Sequence, residues 1–228
     1  MTSRLASFHG PSTPTASPVS YKPQNSPASP SRQTESTIHR KTRTLLQEIR
    51  SAAETWDDLV LVDGVKAIKE LIDTRTDLEN ALRLVPDRKP RQALVTPKLD
   101  TMDACIVRLE ATLLKLQKQF LKMNKAIDML EIVLQDAYKT KGWEWVQSEP
   151  LWMTWPLEKF VTEIPSLLPA YHRSLDLHNQ LVNRLRSHTI KFEESRQILD
   201  KWIEQPWLQE DGWDNRWEDI CDVEVEKW

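Results

Sequence analysis

Histidine and cysteine, the side chains most often found at metal and nucleophilic sites, are few and scattered along the 228-residue chain. No H-E-x-x-H or C-x-x-C pattern brings two ligands onto one helical face or into one turn, so the sequence predicts no zinc site. No serine lies in a G-x-S-x-G nucleophile elbow. None of the 4 glycines belongs to a phosphate-binding loop. We therefore expect a protein that is not an enzyme and that needs no metal or cofactor.

Charge and cysteine content limit the kinds of partner and the cellular compartment that we expect for this protein. The formal net charge is −3 at pH 7, and no basic face for nucleic acid emerges from this balance. Residues 206–228 carry eight acidic and two basic residues, a net charge of −6. The two cysteines, Cys105 and Cys221, cannot form a disulfide framework, which favours a reducing compartment. No apolar run approaches the length of a membrane span, so no membrane association is expected.

The 10 tryptophans are the residues best suited to bind another protein, because an indole joins a large apolar area to one hydrogen-bond donor. One group lies at residues 143–155, mixed with prolines; it either packs across the end of a helical hairpin or docks a partner. A second group alternates with acids in residues 206–228, as in a short linear motif for a basic groove, or folds back on the protein. The candidate partner-binding residues are Trp143, Trp145, Trp152, Trp207, Trp213 and Trp217.

Residues 1–35 are rich in Ser, Thr and Pro and contain few large apolar side chains. Such a segment cannot bury enough apolar surface to offset the entropy of ordering, so we predict a disordered tail. Ser26 and Ser29 each precede a proline, and Arg32 follows Ser29 by three residues. These serines are candidate phosphorylation sites for a proline-directed kinase, although a simple Pro/Ser-rich spacer has the same composition.

A heptad repeat from Leu99 to Ala137 predicts the long helix on which the rest of the chain is organised. Its apolar residues alternate steps of three and four, so every a and d position is apolar. Thr96 is the expected N-cap with Pro97 at the first helical position, and Gly142 is the expected end. Three further apolar residues follow a positions and predict a stripe wide enough for more than one partner helix: Val107, Leu114 and Leu121.

Residues 36–142 are predicted to form a long helical hairpin. A second apolar repeat starts at Ile38, is interrupted by a kink or break at Asp63-Gly64, and continues to Val85. The proline-containing basic loop at residues 86–97 then turns the chain back. We expect an all-α fold: an elongated antiparallel helical bundle or coiled coil behind the N-terminal tail.

Residues 143–205 are predicted to form a Trp-rich linker and C-terminal helices, followed by the acidic Trp-rich tail at 206–228. Pro165 and Pro169 interrupt one apolar face, so we expect a short helix to Glu163 and a kinked or restarted helix to about Arg186. A last helix is expected near residues 193–204, ended by Gln205-Pro206.

Three sequence blocks, in this order around the long helix, carry a resemblance to a known family. They are residues 52–61 (AAETWDDLVL), residues 154–156 (TWP) with Phe160, and residues 202–207 (WIEQPW). Together they resemble the cyclin-dependent kinase 2-interacting protein family. The match covers roughly residues 45–62 and 150–208, and elsewhere only the heptad character is similar. The proline pair at 165 and 169 and the acidic tail depart from the family pattern.

The resemblance implies a small non-enzymatic adaptor of the nucleus and cytoplasm. Its implied partners are a helical subunit and a AAA+ ATPase, in an assembly that acts in late ribosome maturation and replication-linked genome maintenance. Association with cyclin-dependent kinase 2 and with the kinase that fires replication origins is also implied. The aligned residues expected to be structural anchors are Trp56, Trp155, Trp202 and Pro206.

Two other classes of function remain open from the sequence. A structural coiled-coil subunit of a kinetochore or vesicle-tethering complex would have the same heptad repeat. A nucleic-acid binder is supported only by the basic residues at 88–91 (RKPR).

Overall fold

A computed structural model describes residues 36–85, 91–187, 189–209, 217 and 219–222. All described residues belong to one compact unit. The described residues are helical, without strands; one isolated bridge joins Pro150 to Pro156. The all-α helical bundle is thereby confirmed. The predictions for residues 1–35, including Ser26 and Ser29, lie outside the described residues, as do those for 86–90 and Trp213.

The first long helical stretch contains three consecutive segments. These are α1 (Thr37–Asp58), a π-helical segment (Leu59–Gly64) and α2 (Val65–Leu84). Of the kink or break predicted at Asp63-Gly64, the break is wrong, because Gly64 keeps a right-handed helical conformation with φ −66° and ψ −49°. A wider π turn absorbs the irregularity, so the helical path continues into α2.

The second long helix, α3 (Gln92–Lys141), runs antiparallel to the first stretch. Three ion pairs show this direction, because the residue numbers of the partners increase along α3 while they decrease along the first stretch. They join Lys98 to Asp77 at 3.0 Å, Arg108 to Glu70 at 2.9 Å, and Lys115 to Asp63 at 3.1 Å. The predicted antiparallel arrangement is confirmed.

The expected start of α3 is wrong and its expected end is confirmed. The helix begins at Gln92, and the amides of Leu94 and Val95 both donate to the Arg91 carbonyl at 3.0 Å. Thr96 is therefore not the N-cap, and Pro97 lies inside the helix, where it costs one backbone hydrogen bond close to the helix start. At the other end Gly142 has φ 84° and its amide donates to the Tyr138 carbonyl.

The buried face of α3 is displaced from the predicted a/d stripe. With Leu99 at position a, the d residues are buried, most a residues are only partly buried, and the g residues are buried instead. Val107, Leu114 and Leu121 do not widen this face: they are exposed, on the opposite side of the helix. The buried d and g residues are Met102, Leu109, Leu116, Met123, Leu130 and Ala137, with Cys105, Thr112, Gln119, Ala126 and Val133.

The C-terminal helices complete the bundle. They are α4 (Trp143–Ser148), α5 (Leu157–Glu163), a 3-10 turn (Ile164–Leu167), α6 (Leu168–Leu185), α7 (Phe192–Glu204) and α8 (Pro206–Gln209). The predicted interruption after Glu163 and the predicted last helix are confirmed. A membrane-crossing helix is not found among the helices of the described ranges.

Helix α6 lies against α3, and α7 returns along α2. The ring of His172 is 5.6 Å from that of Phe120, and Arg186 pairs with Glu110, so α6 runs antiparallel to α3. In α7, Ser195 accepts a hydrogen bond from Arg75 of α2. The C-terminal helices therefore pack against both arms of the hairpin.

Candidate partner-binding surface

Titratable groups do not gather into a reactive site in the described part of the chain. No three His, Cys, Asp or Glu side chains there form a group that could hold a metal ion. Neither Cys105 nor Cys221 is in a disulfide, and both are buried. Burial raises the pKa of the Cys105 thiol, and the neighbouring Arg108 guanidinium, 3.0 Å from the sulfur, opposes the rise. A buried thiol of raised pKa is a packing group rather than a nucleophile. The surface around the tryptophans is therefore the candidate functional site.

The Trp-rich segment after α3 packs across the end of the hairpin, and Trp152 is at the centre of this contact. Its indole is buried, with the Arg43 guanidinium 5.3 Å above its ring and the His39 ring 6.1 Å away. The Phe160 ring of α5 lies 5.5 Å from the Trp152 ring, edge to face. The Leu151 amide donates to the Trp155 carbonyl at 2.9 Å, which closes the turn between α4 and α5. The Trp152 indole is therefore covered by side chains of this protein, and little of its surface is accessible to a partner.

Trp143 is the tryptophan of this segment that faces solvent. It is 66% exposed, directly after the helix-ending Gly142. Trp145 is partly buried between His39 and Lys141, at 6.4 Å and 5.9 Å. Trp155 is also partly buried, and its ring is covered by the Lys159 ammonium at 4.2 Å. Of the candidates before residue 157, Trp143 has the largest area available for an incoming protein.

The tryptophans near the C-terminus differ in exposure. Trp207 on α8 is 36% exposed and lies 5.4 Å from the Arg173 guanidinium of α6. Trp217 is buried and belongs to the hydrophobic core, as do Ile220 and Cys221. Asp222 pairs with Arg50 of α1 at 3.6 Å, so these described residues fold back on the bundle. Trp207 is therefore the second exposed candidate.

Two of the expected anchor residues lie in one buried cluster, which we call the anchor cluster: Trp56, Trp202, Gln205 and His178. Trp56 and Trp202 are both fully buried. The Trp56 indole N–H donates to the Gln205 Oε1 at 2.9 Å, and the Gln205 amide donates to the Asp57 carboxylate at 3.2 Å. The Trp202 indole N–H donates to the Val60 carbonyl in the π segment at 3.0 Å. Both indole donors are thus satisfied inside the core.

His178 completes this cluster and was not singled out by the sequence. Its ring lies 4.3 Å from that of Trp202, almost perpendicular to it, and its Nδ1 donates to the Ser174 carbonyl at 2.7 Å. Burial lowers the pKa of His178, and contacts with the backbone of Ser174 and Trp202 oppose this lowering. A signal was available, because this residue continues a three-and-four pattern on the buried face of α6: Tyr171, Ser174, His178, Leu181 and Leu185.

Pro206 differs from the other expected anchors. It is exposed, and it begins α8 directly after Gln205, whose positive φ of 40° ends α7. Its place in the fold is therefore a backbone turn, which brings Leu208 of α8 into the core.

Comparison with known proteins adds no identification: no protein-family model matches the chain, and no curated protein matches it. The resemblance to the cyclin-dependent kinase 2-interacting protein family therefore rests on the three sequence blocks alone.

Proposed function

We propose that this protein is a non-enzymatic helical adaptor subunit of a AAA+ ATPase assembly that acts in ribosome maturation and replication-linked genome maintenance. The observation that carries the proposal is the ordered set of three family-like blocks. In the fold, the first and third blocks meet in the anchor cluster, through the Trp56–Gln205 and Trp202–Val60 hydrogen bonds. This shared buried contact supports the first and third blocks belonging to one folding unit.

The hairpin is a suitable scaffold for such a subunit. Its 50-residue α3 is about 75 Å long at 1.5 Å per residue, long enough to hold two partners apart. Trp143 and Trp207 present indole surface outside the core. An exposed indole that enters a desolvated pocket of a partner contributes about 2–4 kcal/mol to binding. We also propose association with a cyclin-dependent kinase, as the same resemblance implies, in the nucleus and cytoplasm.

The test is affinity purification of the tagged full chain from its own cells, with identification of the proteins that copurify. We expect a AAA+ ATPase and a second helical subunit. Trp143→Ala is expected to lower recovery of one of them at least tenfold, because about 1.4 kcal/mol of lost binding is a tenfold change. Met153→Ala, an exposed residue of the same segment, is the matched control and is expected to retain recovery.

The other outcomes separate the alternatives. Recovery of a cyclin–kinase pair without an ATPase would replace the proposal with a kinase adaptor. Recovery of kinetochore or tethering subunits would replace it with a structural coiled-coil protein. Equal recovery with Trp143→Ala and the wild type would retain the assembly and remove this tryptophan from the contact.

A further inference from the structure

The solvent-facing side of α3 carries a row of aliphatic side chains that the bundle does not cover. We call Val107, Leu114 and Leu121 the outer strip; they are 61%, 68% and 59% exposed. Their spacing of seven residues aligns them almost parallel to the helix axis over about 21 Å. Ala111 and Lys118 lie between them, so the row alternates steps of four and three. This is the spacing that one helix presents to another in a coiled coil.

Positive charge predominates around Leu114 and Leu121 of the outer strip. From residue 111 to residue 127, α3 contains four lysines and no acidic residue, whereas Asp103 and Glu110 lie beside Val107. Lys115 is paired with Asp63 of the π segment. The other three, Lys118, Lys122 and Lys125, are exposed, and the ion pairs found among the described residues do not include them. Leu114 and Leu121 are therefore bordered by positive charge that the bundle leaves to solvent.

We propose that the outer strip binds an acidic amphipathic helix of another protein. Leucine or isoleucine side chains of that helix, at steps of three and four, pack against Val107, Leu114 and Leu121. Its flanking carboxylates face Lys118 and Lys125. The aliphatic row supplies the buried contact, and the lysines select an acidic partner over a basic one.

A second copy of the chain fits this surface less well. In a two-fold pair of parallel helices, Lys118 and Lys125 would each face their own counterparts. In an antiparallel pair centred on Leu114, Lys118 would face Glu110, which is already paired with Arg186. A membrane surface needs a broad apolar face, whereas the broad face of α3 is buried in the bundle and the outer strip is one residue wide. Nucleic acid would leave the aliphatic row without a partner. The acidic helix satisfies both the aliphatic row and the lysines.

This inference rests on the proposed adaptor function, for which it specifies the chemistry of the partner helix. Its test needs no ATPase. Peptide binding can therefore be absent while the ATPase copurifies, and the peptide can bind while no ATPase copurifies. The probe is a fluorescently labelled synthetic 21-residue peptide with leucine at steps of three and four and glutamate on both flanks. A sister peptide has lysine in place of every glutamate.

Binding of each peptide to the full chain is measured by fluorescence anisotropy. We expect the acidic peptide to bind at least tenfold more tightly than the basic one. Leu114→Ser combined with Leu121→Ser is expected to weaken acidic-peptide binding at least tenfold. Lys118→Glu combined with Lys125→Glu is expected to reverse the preference, so that the basic peptide binds more tightly. These side chains are exposed, so both variants are expected to keep the wild-type melting temperature.

The matched control combines Val62→Ser with Lys66→Glu and Lys69→Glu, which alters an exposed aliphatic residue and two exposed lysines on the first helical stretch. It is expected to bind both peptides as the wild type does. The proposal is overturned if neither peptide binds, or if the charge reversal leaves the preference unchanged. It is also overturned if the wild type is a dimer that the leucine substitutions dissociate. Loss of sedimentation with phosphatidylserine vesicles in the leucine variant, without loss of peptide binding, would assign the strip to membranes instead.

Discussion

Gly64 and Trp202 show how one missing side chain permits a close contact between the first helical stretch and α7. A Cβ atom added to Gly64 would lie 2.4 Å from the Cζ2 atom of the Trp202 indole, well inside van der Waals contact. The same indole donates to the Val60 carbonyl, which also accepts the Val65 amide across the wide π turn. The conformation at residue 64 is ordinary helix, so this position requires glycine for space and not for backbone freedom.

Substitution at residue 64 separates these two explanations. Alanine has a higher helix propensity than glycine by about 1 kcal/mol, so a position governed by propensity would be stabilised. Because the Trp202 ring is fully buried and cannot move away freely, we expect Gly64→Ala to destabilise the fold by about 1–3 kcal/mol. Urea denaturation measures the change. In a Trp202→Ala background the added methyl group has room, so there the same substitution is expected to cost little; an equal cost in both backgrounds would contradict the clash.

His178 makes stability depend on pH in a defined direction. Burial holds its pKa below the ordinary value of 6.5, so the folded protein keeps this ring neutral while the unfolded chain takes up a proton. The stabilising effect of the neutral ring is complete above the unfolded pKa and is lost as the pH falls below it. The free energy of unfolding attributable to this group then decreases by up to about 1.4 kcal/mol per pH unit.

Replacement of the ring tests this dependence. We expect His178→Phe to lose less unfolding free energy than the wild type between pH 7.5 and pH 5.5, whatever its stability at pH 7.5. Urea denaturation at four pH values in that interval measures the slope. His172→Gln removes an exposed histidine of the same helix and is the control, expected to retain most of the wild-type loss. Equal slopes for wild type and His178→Phe would show that another group titrates.

At the scale of the element, α3 has two opposite faces that the sequence pattern does not distinguish. Leu116 and Leu114 are two residues apart, and the first is fully buried while the second is 68% exposed. We expect Leu116→Asp to destabilise the fold by several kcal/mol, because a carboxylate would enter an apolar core without a partner. Leu114→Asp is expected to change stability by less than about 0.5 kcal/mol. Thermal unfolding of both variants is the measurement, and similar losses for the two would contradict the assignment of faces.

Periodicity predicted the helices but not which apolar stripe is buried. The heptad repeat alone favoured the a and d positions, whereas α3 buries d and g, among them the polar residues Thr112 and Gln119. Because position b is also apolar, the sequence of α3 contains two apolar stripes on different sides of the helix. Which of them is buried depends on where the neighbouring helices lie, and the heptad pattern does not contain that information. Local helix propensity also could not predict that the helix continues through Gly64. The reason for glycine there is the contact with Trp202, which lies 138 residues further along the sequence.

Only part of the candidate site could be predicted, because the exposure of a side chain also depends on contacts between residues that are distant in sequence. Residue type identified the tryptophans, but exposure separates Trp143 and Trp207 from the buried Trp152 and Trp217. Exposure depends on contacts such as that between Arg43 and Trp152, whose partners are far apart in sequence. The sequence did not predict a buried role for His178, because a single histidine forms no motif. Only its position on the buried face of α6 indicates that role.

At the scale of the whole molecule, buried polar contacts connect the hairpin to the C-terminal helices. Arg75 of α2 donates to the Ser195 hydroxyl at 2.9 Å and to the carbonyls of Leu185 and Ser187 at 3.2 Å and 3.1 Å. It thereby caps the end of α6 and holds the start of α7. Burial lowers the pKa of Arg75, an effect that Glu79 opposes. Because this arginine and the anchor cluster both join the hairpin to the C-terminal helices, we expect the two parts to unfold together.

The folding unit should therefore be independent of the first 33 residues. Ser36 begins it: its carbonyl accepts the Arg40 amide at 3.1 Å, and its hydroxyl accepts the His39 amide at the N-cap of α1. We expect a chain lacking residues 1–33 to keep its helical circular dichroism and a melting temperature within about 2 °C of the full chain. Ser36→Ala in this shortened chain is expected to cost about 1 kcal/mol, since it removes the cap from a helix that the bundle needs. A larger loss from the deletion than from the cap substitution would show that residues 1–33 contribute to the fold.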